Sequence, residues 1–226
     1  MCHKQATFKT TPYVIVFSFL LCSCLGVNAD ITLNKNGSGI ITLEYTISKS
    51  LDSLGRLDGN ERWNTIPVGK ADFERTMDRL PDMKLLSFST KENDRDLVFI
   101  AKMEFSSVKG LLAFLDSGGL RSDFSGDAER GRLVLVLKDV KTTAVKGSSL
   151  DTLLAEVTKS YPVTISMNIP GTGNLKIIDN SGNAVNSISG SVIQDKGKRL
   201  SCSFSLYEIL SSSNGLKIEF QWDSST

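Results

Sequence analysis

Regular alternation of apolar and polar residues runs through most of the chain and predicts β-strands. Ile41, Leu43 and Tyr45, for example, alternate with Thr42 and Glu44, as expected for a strand with one buried face. Similar alternation, or a short apolar run between turn residues, recurs along the sequence. The predicted strands cover residues 30–34, 41–47, 84–90, 97–105, 120–124, 133–137, 163–169, 175–178, 185–193, 200–206 and 216–222.

Three segments repeat their apolar residues every three or four positions, which predicts amphipathic helices. The first covers residues 70–80 and should end at Pro81, because proline cannot continue a helix. The second covers residues 108–115 and should be capped by the hydroxyl of Ser106 or Ser107. The third covers residues 149–161.

The order of these elements predicts the fold class. Mixed helices and strands come first, and strands with one polar face follow, which favours an α+β fold. We expect antiparallel sheets with about three amphipathic helices and a β-rich C-terminal part. The expected units are an α+β domain over residues 30–145 and the β-rich part over residues 146–226, either separate or within one domain.

The N-terminus has the layout of a secretory signal peptide. Lys4 and Lys9 precede an apolar run from Tyr13 to Cys22, and small residues follow it. This run is shorter than the about 20 apolar residues that span a bilayer as a helix. We therefore expect export, with an uncleaved N-terminal anchor as the alternative.

Two cleavage sites compete within this leader. Residues 21–24, Leu-Cys-Ser-Cys, resemble a bacterial lipobox, in which the last cysteine receives a lipid before cleavage. This interpretation gives a leader of residues 1–23, a cut between Ser23 and Cys24, and a lipid anchor on Cys24 that holds the protein on a membrane. The alternative is an ordinary signal-peptidase site between Ala29 and Asp30, which gives a leader of residues 1–29.

The charge balance argues against nucleic acid as a partner. The chain has 26 Lys and Arg against 25 Asp and Glu. Either leader removes Lys4 and Lys9 and no acidic residue, so 24 basic and 25 acidic side chains remain. Such a balance, without a long basic run, does not predict a phosphate-binding surface.

The few cysteine and histidine residues of the chain argue against several common classes of enzyme mechanism. The only histidine, His3, leaves with the leader, so the mature chain has no imidazole for a catalytic triad or a metal site. Apart from Cys24, Cys202 is the only cysteine left, so no internal disulfide is expected. Cys202 lies on the apolar side of its strand, where burial is the expected state. We expect no metal and no cofactor.

The remaining polar candidates are carboxylates and one glycine-containing segment. Asp123 and Asp127 flank one predicted turn, and Asp94 and Asp96 lie in another. Paired acids can hydrolyse glycosides or bind calcium, but acids in turns are mostly solvated and the calcium-loop spacing is absent. Residues 171–174, Gly-Thr-Gly-Asn, read as a turn.

Three aromatic residues are candidates for contacting an apolar ligand. Trp63, Tyr161 and Trp222 could line a groove between helices and sheet, or simply fill the core. Trp63 belongs to a long connection between predicted elements, and such connections are often functional.

Several short segments resemble a known group of proteins. Residues 29–34, the turn at residues 37–39, and the strand and helix at residues 97–105 and 108–115 are similar to LppM-type bacterial envelope lipoproteins. Residues 51–69 resemble spirochaetal members of such a group. The resemblance implies an α+β periplasmic domain behind a lipidated cysteine, associated with binding envelope lipids.

Three hypotheses of function follow. The first is an exported, lipid-anchored, non-catalytic envelope protein that binds a lipid or another amphiphile. The second is a structural or protein-interaction lipoprotein whose partner the sequence does not identify. The third is a carboxylate-based hydrolase that uses Asp123 and Asp127.

Overall fold

Two β-sheets form the framework of the protein. The structure is a computed structural model that describes residues 25–49, 69–116, 122–139, 161–185, 191–195 and 197–224. The strands are β1 (Leu25–Leu33), β2 (Gly39–Ser48), β3 (Met83–Glu92), β4 (Asp96–Phe105), β5 (Asp123–Gly126), β6 (Arg130–Lys138), β7 (Pro162–Asn168), β8 (Thr172–Ile178), β9 (Ser191–Asp195), β10 (Arg199–Ser205) and β11 (Leu216–Asp223). The helices are α1 (Lys70–Met77), α2 (Val108–Leu115) and α3 (Leu206–Ser211).

The two sheets differ in size and in strand order. Sheet A has the strand order β3-β4-β2-β1-β7-β10-β9, and sheet B has the order β5-β6-β11-β8. β1 and β7 are parallel, whereas the other neighbouring strands are antiparallel. These antiparallel-rich sheets with helices confirm the α+β prediction. Each sheet combines strands from both predicted units, and the boundary near residue 145 lies outside the described residues.

Sheet A has two ends that matter for the site. The first, which we call the Leu25 end, carries Leu25 opposite Ile47 and also Asp96, which pairs with Ser48. The second, which we call the Asn36 end, carries the tight turn that joins β1 to β2.

The core lies between sheet A and sheet B, with α1 and α2 on the same side. Alternate residues of β1, β2, β4, β7 and β10 point into it, and their neighbours form a polar outer face. On that outer face, the hydroxyls of Ser166 and Ser201 lie 2.8 Å apart, and those of Thr164 and Ser203 lie 2.9 Å apart. One wet face and one apolar face is the arrangement that the alternation predicts.

The helices begin where side chains can satisfy free backbone N–H groups. The hydroxyl of Ser107 accepts a hydrogen bond from the N–H of Gly110 at 3.0 Å and so caps α2, as predicted. α1 begins at Gly69, whose N–H donates to the carboxylate of Asp72 at 3.2 Å. It places Phe73 in the core and ends three residues earlier than predicted. The helix predicted over residues 149–161 lies outside the described residues, apart from residue 161.

Three predicted boundaries were wrong for identifiable reasons. β1 begins at Leu25 rather than at residue 30, because Leu25, Val27 and Ala29 continue the alternation backwards. Leu206 begins α3 instead of ending a strand, because Ser205 forms a capping box with Glu208.

The third wrong prediction is the turn at residues 171–174. Thr172 already belongs to β8, and the N–H of Gly173 donates to the carbonyl of Gly197 at 2.8 Å. A Cβ at Gly173 would overlap the Ile169 side chain, so this glycine permits close packing within a strand.

Helices of the described residues are all too short to cross a bilayer.

Candidate functional site

The inner face of β4 passes from full burial to partial exposure along the strand. Phe105, Met103 and Ala101 are completely buried, towards the Asn36 end. Phe99 and Leu97, on the same face, are only half-buried. The inner face of β4 is therefore fully buried towards the Asn36 end and partly exposed towards the Leu25 end, whereas Ile47 of β2, opposite Leu97, stays buried.

The neighbouring strand β3 repeats this gradient. Met83 is buried, Phe88 is half-buried, and Thr90, which lies opposite Phe99, is exposed. β3 forms the outer edge of sheet A, so the partly exposed surface lies at this edge. α1 packs on this surface through the buried Phe73, whose ring centroid lies 5.6 Å from that of Phe88.

Four aromatic rings connect the buried part of this surface to its partly exposed part, and we call them the aromatic row. The ring centroids of Tyr45 and Phe73 are 6.3 Å apart, those of Phe73 and Phe88 5.6 Å apart, and those of Phe88 and Phe99 6.4 Å apart. All three pairs are tilted, with interplanar angles of 34–48°. Such spacing is favourable for aromatic contact, and it makes a continuous apolar surface from the buried Phe73 to the half-buried Phe99.

Tyr45 adds a polar group to the buried part of this row. Burial raises the pKa of its hydroxyl above the ordinary range of tyrosine. Desolvation disfavours the phenolate, so the hydroxyl stays protonated at neutral pH.

The Leu25 end carries charged side chains next to the partly exposed surface. The ammonium of Lys49 lies 2.7 Å from the carboxylate of Glu92, and its hydrogen bond and charge lower the pKa of Glu92. The next turn contains the amide of Asn93, which accepts hydrogen bonds from the N–H groups of Arg95 and Asp96 at 2.8 and 2.7 Å. Both interactions hold the β3–β4 turn in shape beside the aromatic row.

Tyr161, one of the predicted ligand contacts, lies on the polar face of sheet A. Its hydroxyl donates to the carboxylate of Asp96 at 2.9 Å. Its backbone passes over Gly26, where a Cβ would lie 3.6 Å from the Tyr161 Cα. The side chain thus connects the start of β7 to the start of β4 across β1 and β2.

Trp222, the second predicted contact, is a core side chain at the opposite end. It is 4 % exposed and stacks on Phe124, with ring centroids 6.0 Å apart. Its indole N–H donates to the carbonyl of Ala128 at 3.0 Å, and Ala128 lies beside Gly37 in the turn of the Asn36 end. The structure therefore does not bring Tyr161 and Trp222 together. Trp63, the third, lies outside the described residues.

The predicted cleavage sites fall on either side of a structural boundary. Ser23 and Cys24 lie outside the described residues and immediately precede β1. Ala29 and Asp30 lie in the middle of β1, where they pair with Ile165 and Ser166 of β7. A cut between Ala29 and Asp30 would therefore divide the strand.

The carboxylates considered for catalysis either accept hydrogen bonds that hold the local structure or are exposed to solvent. Asp127 accepts hydrogen bonds from the N–H groups of Glu129 and Arg130, both at 2.8 Å, and so shapes its own turn. Asp96 accepts the hydroxyl of Tyr161, and Asp123 is exposed on the short strand β5. Within the described ranges, three or more potential metal ligands do not come together anywhere.

Cys202 is buried in the core, as the alternation predicts. Its side chain is 1 % exposed, and its thiol points to the carbonyl of Ile165 at 3.8 Å. Burial raises the pKa of this thiol to about 12. A thiol that stays protonated and inaccessible is not a nucleophile at neutral pH.

Sequence reasoning missed the members of the aromatic row as a site. Phe99 fell within the strand predicted over residues 97–105, and Phe88 fell within the strand predicted over residues 84–90. The turn predicted at residues 91–96 contained a sequence signal for this site. It joins two predicted strands, and each of them carries a phenylalanine close to the turn. What the alternation does not show is that burial decreases along that face.

The fold and the site together define a two-sheet α+β domain whose inner apolar face is partly exposed on the strands β3 and β4. No protein-family model matches the chain. A search of curated proteins also finds no match. Among solved structures, the chain is similar to the folded domain of the Mycobacterium tuberculosis LppM protein, determined by NMR, at 9 % sequence identity and a TM-score of 0.41. The alignment covers 89 % of this chain and 92 % of that domain. A likeness of this size does not identify a shared function, and a spirochaete-type member stays a prediction.

Proposed function

We propose that this is an exported, non-catalytic envelope protein, anchored by a lipid on Cys24, that binds the apolar chain of a lipid or another amphiphile on its aromatic row. One observation carries the binding proposal. Burial on the inner faces of β3 and β4 decreases steadily towards the Leu25 end, so that Phe88 and Phe99 remain partly exposed. A soluble domain gains free energy by covering such a surface.

The chemistry of the aromatic row suits an acyl chain. Each methylene that leaves water contributes about 0.8 kcal/mol, so a chain of several methylenes against Phe88 and Phe99 would bind measurably.

The position of β1 supports anchoring at Cys24 over cleavage after Ala29. Cleavage before Cys24 leaves β1 intact, from Leu25 onwards. Cleavage after Ala29 would remove the five residues Leu25–Ala29, with the buried Ala29 and three rungs of the ladder to β7. β1 lies in the middle of sheet A between β2 and β7, so this loss would fall inside the sheet.

The environments of the two candidate reactive groups, the Cys202 thiol and the Asp127 carboxylate, agree with a non-catalytic role. The thiol of Cys202 is buried with a raised pKa. The carboxylate of Asp127 is engaged by backbone N–H groups of its own turn. Neither group lies on the aromatic row.

A protein-interaction module is the second candidate, because β3 presents an open edge. Leu86 on this strand is 44 % exposed, and edge strands can pair with a strand of another protein. However, the register shifts between Leu85 and Ser87, and such an irregularity hinders the addition of a further strand. We therefore place this function second.

Native mass spectrometry of the full chain, produced with its leader and purified from the membrane, tests the binding proposal. We expect a fraction of the protein to carry non-covalent lipid. Thr90→Trp should lower this fraction several-fold, because Thr90 is exposed on the inner face opposite Phe99 and the larger ring would cover the partly exposed surface. Ser89→Trp is the matched control, since Ser89 is exposed on the outer face of the same strand.

The outcomes separate the two candidates. Equal lipid occupancy in Thr90→Trp and Ser89→Trp, or no lipid in the unmodified chain, would reject binding at the aromatic row. A protein that carries no lipid but loses a partner protein in Leu86→Lys would support the second candidate instead.

A further inference from the structure

We infer that the Leu25 end of sheet A is the surface that faces the membrane and that it lies against the phospholipid head groups; this rests on the anchoring at Cys24 proposed above. The partner of this surface is a lipid bilayer.

The anchor has no spacer between its lipid and the folded domain. Leu25, the first residue after Cys24, is already part of β1 and pairs with Ile47 of β2. One residue spans at most about 3.6 Å. Acyl chains attached to Cys24 must therefore enter the bilayer within about one residue length of the sheet, which prevents the domain from moving far from the membrane.

The attachment point is central in the sheet. β1 is the fourth of the seven strands in sheet A, flanked by β2 on one side and β7 on the other. An anchor at the edge of a sheet would allow the sheet to lie flat, but a central anchor at a strand end favours strands that stand away from the bilayer.

The charges around the Leu25 end permit this contact. Among the described residues, the cations are Lys49, Lys91 and Arg95 and the anions are Glu92, Asp94, Asp96 and Glu208, which leaves one net negative charge. A single net charge repels anionic head groups only weakly. Tyr161 is half-buried at the same end, and tyrosine is favoured where an apolar and a polar medium meet.

The partly exposed part of the aromatic row lies at this same end. This observation does not depend on the position of the anchor. Exposure increases from Phe105 to Leu97 along β4, in the direction of the Leu25 end. With this end on the membrane, an acyl chain would pass between the bilayer and Phe99 with little contact with water. The position of the anchor and the direction of increasing exposure thus point to the same surface.

The opposite end provides a reference point far from the bilayer. β1 has nine residues, so the turn that contains Lys35 and Asn36 lies about 26 Å from Leu25. Lys35 and Asp94 are both exposed turn residues, one at each end. They are therefore matched sites for a probe.

Fluorescence quenching at these two sites tests the inference. The full chain with Asp94→Cys or Lys35→Cys is produced with its leader, checked for the lipid by intact mass, labelled with a thiol-reactive fluorophore and placed in phosphatidylcholine vesicles. Nitroxide groups on the lipid head groups serve as the quencher. The label is selective, because a lipidated Cys24 has no free thiol and Cys202 is buried.

We expect quenching at position 94 to exceed quenching at position 35 several-fold. A leaderless form of each variant that begins at Leu25 gives the baseline without an anchor and without the leader cysteines. Equal quenching, or stronger quenching at position 35, in a chain that carries the lipid would overturn the orientation and leave the anchoring intact. A chain without the lipid by intact mass would overturn both proposals.

Discussion

Ala29 of β1 lies directly opposite Ile165 of β7 in the one parallel ladder of sheet A that the described strands form, and both side chains are buried. This pairing connects the N-terminal hairpin to the C-terminal half of the chain. It also means that residues which resemble the end of a signal peptide form part of the core.

Removing residues 25–29 should therefore destabilise the fold. We compare a leaderless chain that begins at Asp30 with one that begins at Leu25. The shorter chain loses the buried Ala29, the partly buried Val27 and the ladder between them and β7. We expect its free energy of unfolding to fall by about 2–4 kcal/mol, measured by urea denaturation. Equal transition midpoints would show that β1 does not need its first half.

The hydrogen bond from Tyr161 to Asp96 should contribute to stability rather than to ligand binding. Tyr161→Phe leaves the carboxylate of Asp96 without this donor, so we expect a loss of about 1 kcal/mol in thermal or urea unfolding. Tyr207→Phe, a partly buried tyrosine on α3, is the control and should change stability by less than about 0.5 kcal/mol. A several-fold drop in lipid occupancy for Tyr161→Phe, with unchanged stability, would contradict this assignment.

Stability should fall at alkaline pH partly because of Cys202. Burial raises the pKa of its thiol from 9.0 to about 12. The folded state therefore holds the proton more tightly than the unfolded state, so this contribution is complete below about pH 9 and is lost as the pH rises towards 12. Tyr45 acts in the same direction at higher pH, because its pKa is also raised.

Urea midpoints between about pH 7 and pH 11 measure this effect. We expect the midpoint of the unmodified chain to decline above pH 9 and that of Cys202→Ala to decline less steeply. The slopes are compared rather than the absolute values, because alanine also leaves a small cavity. Identical slopes would mean that the thiol does not titrate with unfolding.

Much of the fold could be predicted from alternation, because a strand with one buried face records its orientation in every second residue. Ile41, Leu43 and Tyr45 face the core as expected, and so do Leu200, Cys202 and Phe204. α2 was also predicted, with Ser107 as one of the two residues expected to cap it, since its apolar stripe and its first polar residues are local features.

The errors arose where one local pattern had two meanings. Residues 25–29 carry both the small side chains of a cleavage site and the alternation of a strand, and only the pairing with β7 decides between them. Leu206 continues the alternation of β10, but the capping box of Ser205 and Glu208 turns the chain into α3.

The candidate site was less predictable, because it depends on long-range packing. The sequence shows that Phe88 and Phe99 are apolar positions on strands, but partial exposure follows from where α1 and sheet B stop covering sheet A. Tyr161 and Trp222 are aromatic residues of the kind that contact ligands, and only the topology shows that Tyr161 lies at the Leu25 end of sheet A and Trp222 on sheet B, near the Asn36 end.

Photocrosslinking of a bound chain tests the central claim most directly. The full chain is incubated with a fatty acid that carries a diazirine near its methyl end, irradiated, digested and sequenced by mass spectrometry. We expect crosslinks in the peptides that contain Phe88 or Leu97–Phe99, and their loss in Thr90→Trp but not in Ser89→Trp. Crosslinks concentrated around Trp222 and Phe124, or spread evenly over the surface, would contradict a binding site on the aromatic row.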